Sequence, residues 1–127
     1  MSENKKVRVG LCGAGFAGKF HAYGINRAYG VDAQVSVLCE PNRELAEAVA
    51  AKYGIPRICA DFKELLRDDT INVVDLCTPT NMHHTMIEEA LAAGKHVICE
   101  KPLTGYFGEP GDPQLVGEVG RRQMYDV

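Results

Sequence analysis

The 127-residue chain lacks the features that mark several broad classes of protein. It has no run of basic residues and a formal net charge of -3, which argues against a nucleic-acid-binding surface. No uninterrupted apolar stretch approaches the roughly 20 residues of a membrane helix. The polar start, Met1 to Lys6, offers neither the apolar core nor the cleavage site of a secretory signal. We therefore expect a soluble, cytoplasmic protein with no nucleic-acid or membrane partner.

The sequence also lacks paired cysteines. Its cysteines lie 18 to 27 positions apart, so it contains neither a Cys-x-x-Cys pair nor the spacing of zinc ligands, and we expect no bound metal. Each lies at or near the carboxyl end of a predicted strand: Cys12, Cys39, Cys59, Cys77 and Cys99. We interpret them as reduced, mostly buried residues. The alternative is a reactive thiol near a ligand-binding edge.

What the sequence does contain is a regular alternation of strand and helix patterns. Short, almost continuously apolar runs predict strands at 7–12, 34–39, 57–60, 72–77 and 96–99. Between them, helices are predicted from the first glycine-rich turn to about residue 29, over 42–53 and over 81–93. Asn42 is a predicted amino-terminal cap, Gly54 and Gly94 are predicted terminators, and Asp61 with Glu64 resembles a capping box. Helix 81–93 should bury Met82, Met86, Ile87, Ala90 and Leu91.

The turn after the first strand carries Gly13-x-Gly15-x-x-Gly18, with Phe16 and Ala17 in between. Gly13 permits a tight turn, Gly15 lets the backbone approach a pyrophosphate, and Gly18 allows close packing of helix on strand. Because the motif follows a strand and opens a helix, it predicts a dinucleotide site at the helix amino terminus. We expect an α/β fold: a Rossmann-type, doubly wound parallel sheet of strand order 3-2-1-4-5, with helices on both faces.

Glu40 ends the second predicted strand about 20 positions after the glycine motif, where an acid bonds the adenosine ribose hydroxyls. Its carboxylate would repel a 2′-phosphate, which favours NAD over NADP. Arg43 weakens this preference, because its guanidinium could accept that phosphate. An equally good interpretation of Arg43 is a solvated residue in the first turn of a helix.

Several further motifs together resemble the nucleotide-binding domain of the Gfo/Idh/MocA oxidoreductases. They are the glycine motif followed by His21, Glu40-Pro41-Asn42-Arg43, Cys77-Thr78-Pro79 with His83 and Ala90, Ala93 to Val97, and Glu100-Lys101-Pro102-Leu103. The resemblance covers roughly residues 5–104. Thr80 stands where the family often has Asn, and the glycine- and proline-rich residues 105–120 depart from the helix that the family has there.

The resemblance implies a function. Thr78 and Pro79 would pack along the dinucleotide, and Lys101 would lie beside the nicotinamide and touch the substrate. Glu100 is a further predicted cofactor-binding residue. From its place after the Thr-Pro loop, His83 is also expected to border the cofactor or substrate. Residues 1–104 would be the dinucleotide-binding domain, and 105–127 a linker and the start of a truncated helix. A carboxy-terminal substrate domain, absent from this chain, would supply the principal base. We therefore expect an NAD-dependent oxidoreductase acting on a sugar, cyclitol or related polyol, a homo-oligomer at full length, with this chain alone inactive.

Lys101 is the predicted catalytic residue on physical grounds as well. It follows a parallel strand at the carboxyl edge, where ligands bind in open α/β sheets, and its ammonium can stabilise a developing alkoxide. The alternative is a surface lysine paired with Glu100. Most of the histidines, His21, His83, His84 and His96, are interpreted as structural because none has metal-ligand spacing.

Two other functions remain open from the sequence. A non-catalytic dinucleotide-binding or sensing protein would share the glycine motif and Glu40. A methyltransferase would also place glycines after its first strand and an acid after its second, but it would not account for Glu100-Lys101-Pro102.

Overall fold

The computed structural model describes residues 5–104 of the chain. Along the sequence its elements are β1 (Lys6–Cys12), α1 (Phe16–Ile25), β2 (Asp32–Cys39), α2 (Arg43–Tyr53), β3 (Arg57–Cys59), α3 (Phe62–Leu66), β4 (Val73–Leu76), α4 (Thr80–Ala92) and β5 (His96–Cys99). The strands form one parallel sheet in the order β3-β2-β1-β4-β5. The predicted Rossmann-type sheet and its strand order are therefore confirmed. The predicted linker over 105–127 lies outside the described residues.

Helices cover both faces of the sheet. Helices α1 and α2 bury Ala22, Ala46 and Val49 against Val9, Leu11, Val35 and Leu38. On the other face, α3 and α4 bury Leu65, Met86 and Ala90 against Cys12, Val37, Cys39, Val74 and Leu76. With both faces buried, the strands must be apolar throughout, which is why their sequences show no polar alternation. Within residues 5–104, no helix has the length and apolarity to cross a bilayer.

A one-residue irregularity in β2 sets which side chains face each layer. Val9 pairs with Val35, but the next residue of β1, Gly10, pairs with Val37, so the register passes over Ser36. An extra residue in one strand reverses the faces of the residues that follow. Thus Val35 and Leu38 both lie in the layer under α1 and α2, although they are three positions apart.

The helix ends agree with some predictions and correct others. Asn42 caps α2 by accepting a hydrogen bond from the Leu45 amide, and Gly54 ends that helix with φ of 68°. Helix α1 ends at Ile25, not near residue 29. The reason is tertiary: the Asn26 side chain after α1 accepts from the Val35 amide and donates to the Tyr53 carbonyl.

Two details of α3 and α4 were predicted wrongly. Asp61 caps α3, but its carboxylate accepts from the Lys63 amide, and no return bond from Glu64 forms, so the capping box is incomplete. In α4 the buried stripe begins at His83 and continues through Met86 and Ala90. Met82 and Leu91, predicted to be buried, are exposed, since they lie at the edges of this stripe, four positions before Met86 and eight after His83.

Candidate dinucleotide site

The carboxyl ends of the strands open onto a groove of about 710 Å³. We call it the edge groove. Its lining comes mainly from the loops after β1, β2 and β4, and includes Gly13, Ala14, Gly15, Glu40, Thr78 and Pro79. The fold therefore brings together the predicted pyrophosphate loop, the predicted ribose acid and the Thr-Pro pair. In open α/β sheets this edge, where the strand order reverses, is the place at which ligands bind.

The three glycines of the loop have different physical roles. Gly13 has φ of 101°, and a Cβ there would collide with the carbonyl of Cys77. A Cβ at Gly18 would collide with the carbonyl of Gly13, so Gly18 lets α1 close against the loop. At Gly15 no atom lies within 4 Å of a built Cβ. The absence of a side chain at Gly15 thus keeps space open in the groove itself.

Helix α1 begins at this loop without a side-chain cap. Gly15 is its N-cap residue, and no side chain accepts a hydrogen bond from the first turn. Uncapped N–H groups and the helix dipole favour an anion at this end. The Phe16 side chain is 87% exposed and stacks with Phe20, and neither Phe16 nor Ala17 lines the groove. The predicted contacts of Phe16 and Ala17 with the dinucleotide stay predictions.

Glu40 lies directly beside the glycine loop. One carboxylate oxygen accepts from the Ala14 amide at 3.2 Å and the other from the Asn42 amide at 3.0 Å. The carboxylate is therefore fixed at the boundary between the loop after β1 and the start of α2. Each oxygen can accept a further hydrogen bond, since a carboxylate accepts more than two.

Arg43 does not take part in this arrangement. Its side chain is largely exposed and forms an ion pair with Glu47 one turn along α2, with 2.9 Å between Nε and Oε1. It does not line the edge groove. Of the two interpretations that the sequence left open, the structure favours the solvated residue on the helix surface.

The loops after β4 and β5 are joined by His83. Its side chain is 1% exposed, and its ring nitrogens lie 2.9 Å from the carbonyl oxygens of Thr78 and Pro102. The ring lies between the two loops and does not line the groove. The predicted contact of His83 with a cofactor stays a prediction. Lys101 is exposed at the end of β5, and the peptide bond before Pro102 is cis.

One buried cluster was missed in the sequence. Asp75 of β4 is 0% exposed, and its carboxylate lies 2.7 Å from Nδ1 of His21 and 3.6 Å from the thiol of Cys77. The three groups are close enough to share a metal ion. In the structure, however, they satisfy one another by hydrogen bonds. Burial raises the pKa of Asp75, and the nearby imidazole of His21 partly offsets this.

The signal for this cluster was a carboxylate inside an apolar strand, since a buried charge needs a partner. The sequence could not identify that partner, because His21 lies 54 positions away. The two residues meet only in the folded chain, where His21 of α1 contacts Asp75 of β4.

The cysteines form a row across the carboxyl edge. Cys12 pairs in register with Cys39, and Cys39 with Cys59. Cys12 and Cys39 are buried, whereas the other three are half-buried. Hydrogen bonding to Cys39, followed by burial, raises the pKa of Cys12, and burial raises that of Cys59 to about 12. Cys39 differs, because the neighbouring thiol of Cys12 lowers its pKa.

We expect the native protein to react slowly with a thiol reagent such as dithiobis(nitrobenzoic acid), and Cys12 to react last. Only the thiolate reacts, and burial limits both its formation and its access. The same protein in guanidinium chloride gives the reference rate for its five exposed thiols. Rapid reaction of all five in the native protein would contradict the burial described here.

Comparison with known proteins gives a consistent result. Residues 7–110 match the family described as "Oxidoreductase family, NAD-binding Rossmann fold". Levoglucosan dehydrogenase of Pseudarthrobacter phenanthrenivorans is 38% identical over 105 residues, covering 78% of this chain and 27% of that protein. Inositol 2-dehydrogenase of Rhizobium meliloti is 39% identical over 97 residues, covering 76% of this chain and 28% of that protein.

A solved structure is similar in its fold as well. Scyllo-inositol dehydrogenase from Lactobacillus casei, with bound NAD(H) and scyllo-inositol, superposes with a TM-score of 0.73 and 28% identity, over 81% of this chain and 30% of that one. The chain therefore spans less than a third of the length of each of these relatives.

Proposed function

Because the chain belongs to the oxidoreductase family with an NAD-binding Rossmann fold, we propose that its edge groove binds NAD. We further propose that the complete enzyme transfers hydride between the nicotinamide and a hydroxyl-bearing carbon of a sugar, cyclitol or related polyol. The observation that carries the proposal is the Glu40 carboxylate, which the Ala14 amide holds against the glycine loop inside the groove.

The pyrophosphate would lie over the glycine loop. The space at Gly15 is open, and α1 presents its uncapped first turn to the same region. Backbone N–H groups and the helix dipole then favour the two negatively charged phosphates without a charged side chain. Loop closure depends on Gly13 and Gly18, since a side chain at either would strike a backbone carbonyl.

The adenosine ribose would lie at Glu40. Accepting hydrogen bonds from the two ribose hydroxyls suits a carboxylate that is already oriented by backbone amides. A 2′-phosphate would place a second negative charge at the same point. Arg43 pairs with Glu47 on the surface of α2 and does not line the groove, which supports NAD as the preferred cofactor.

The nicotinamide would extend from the pyrophosphate toward β4 and β5, where Thr78, Pro79 and Lys101 lie. The Lys101 ammonium would donate a hydrogen bond to the substrate hydroxyl and stabilise the oxygen as its negative charge develops. The relatives named above carry dehydrogenase names for levoglucosan and inositol, which supports a polyol substrate. A separate domain would supply the principal base.

The cofactor proposal is tested by calorimetric titration of the chain with NAD(H) and NADP(H). We expect NAD(H) to bind more tightly. Glu40→Gln should weaken NAD(H) binding by about tenfold or more, since a hydrogen bond to a charged group is lost. Arg43→Ala is the matched control at the start of α2 and should leave both affinities unchanged.

The opposite pattern would reassign these residues. Tighter binding of NADP(H), lost in Arg43→Ala, would make Arg43 the recognition residue and overturn the NAD preference.

A further inference from the structure

We propose that His21 is a positioning residue that holds the Glu100 carboxylate away from Lys101 and so keeps the lysine ammonium free for the substrate. The importance of a free Lys101 rests on the proposed function. The contacts themselves do not depend on that function. They join His21 of α1, Asp75 of β4 and Glu100, which follows β5.

One side of the His21 ring is held by Asp75. The carboxylate is wholly buried in β4 and lies 2.7 Å from Nδ1 of the ring. Cys77 adds a thiol contact to the other carboxylate oxygen at 3.6 Å. A buried carboxylate without partners would be costly, so this bond strongly restrains the orientation of the imidazole.

The opposite ring nitrogen faces the carboxylate of Glu100. Nε2 of His21 lies 3.6 Å from Oε1 of Glu100. The ring thus lies between two carboxylates, with Asp75 at Nδ1 and Glu100 at Nε2. The Glu100 backbone is fixed too, because its amide donates to the Leu76 carbonyl. Glu100 is thus held at its backbone and at its side chain.

Because Glu100 contacts His21, its carboxylate does not pair with the ammonium of the next residue, Lys101. Among residues 5–104, no ion pair joins the Lys101 ammonium to a carboxylate, while Glu100 pairs with His21. The sequence had suggested a Glu100–Lys101 surface pair as the alternative to a catalytic lysine. If the His21 contact were lost, the half-exposed Glu100 side chain would be released beside the lysine, and pairing would keep the ammonium protonated and occupied.

The reactivity of Lys101 measures this directly. The 127-residue chain, without cofactor, is acetylated with a trace of acetic anhydride, and the rate at Lys101 is read by peptide mass spectrometry relative to Lys19 and Lys52. Only the neutral amine reacts, so a new ion pair slows labelling. His21→Asn removes Nε2 but retains an amide donor that can reach Asp75, which protects the buried carboxylate.

We expect His21→Asn to slow labelling of Lys101 by about two- to fivefold, the range of an exposed ion pair. His21→Asn with Glu100→Gln should restore the original rate, because the amide has no charge. Glu100→Gln alone should change nothing, since Glu100 is already held by His21. His84→Asn is the matched control: His84 forms a similar pair with Glu88 at 3.2 Å on the exposed surface of α4.

Each contrary outcome overturns the proposal. Faster labelling in Glu100→Gln alone would mean that Glu100 already pairs with Lys101, and this variant decides the matter even if His21→Asn fails to fold. An unchanged rate in His21→Asn would remove the role of His21. Slower labelling that Glu100→Gln does not reverse would indicate a general disturbance of the fold. Because no cofactor is present, a failure here leaves the NAD proposal standing, and a failure of NAD binding leaves this result unaffected.

Discussion

Valine in place of Gly15 is expected to abolish measurable NAD binding while leaving the fold intact. Gly15 has φ of -78° and extended backbone, which valine adopts without strain. No protein atom lies within 4 Å of the new Cβ, so the domain loses no packing. The added methyl groups instead project into the space that the pyrophosphate backbone contact requires. The substitution thus separates binding from stability, which one at Gly13 or Gly18 could not do.

Calorimetric titration with NADH and a thermal unfolding curve check this expectation together. Gly24→Val is the matched control, because Gly24 lies farther along α1 and a Cβ there also meets no atom within 4 Å. It should bind NADH normally. Retention of NADH affinity in Gly15→Val would show that the dinucleotide does not approach the loop.

Alanine in place of Lys101 is expected to have the largest effect on turnover. In the complete oxidoreductase, kcat on an accepted polyol should fall about 100- to 1,000-fold, the usual cost of losing a donor aimed at developing charge. NAD affinity should stay nearly unchanged, because Lys101 lies after β5 and does not line the groove that holds the glycine loop and Glu40.

Lys101→Arg provides the second arm of that experiment. The planar guanidinium cannot place its charge at the same point as a compact ammonium, so activity should not return to the original level. Steady-state kinetics and NAD titration are measured on both variants. Unchanged turnover in the alanine variant would reduce Lys101 to a surface residue and leave only the dinucleotide-binding part of the proposal.

The sequence was sufficient for the fold because its signals are local. Apolar runs in β1 and β4 marked strands buried on both faces, and Asn42 and Gly54 marked the ends of α2 through backbone geometry that few residues satisfy. The end of α1 was missed because Asn26 stops the helix through bonds to residues in β2 and α2. Such contacts have no signature in the nearby sequence.

The site likewise has a part that local sequence spacing predicts and a part that depends on packing. The glycine loop and Glu40 follow a spacing that the strand-turn-helix unit itself imposes, so their meeting in one groove could be predicted. The link between His21, Asp75 and Glu100 depends on the packing that brings α1 to β4 and to the residue after β5. His21 and His83 looked alike as helical histidines, yet one faces carboxylates and the other carbonyls. Only the packed structure distinguishes them.

We propose above all that the edge groove holds NAD across the glycine loop and Glu40. Titration of the nitrogen-15-labelled chain with NAD, followed by amide chemical shifts, tests it most directly. We expect saturable shifts at residues 13–18, 40–42 and 78–80, with little change near Gly54 and Gly94 at the opposite ends of their helices. Shifts confined to that opposite edge, or no saturable shift at millimolar NAD, would contradict it.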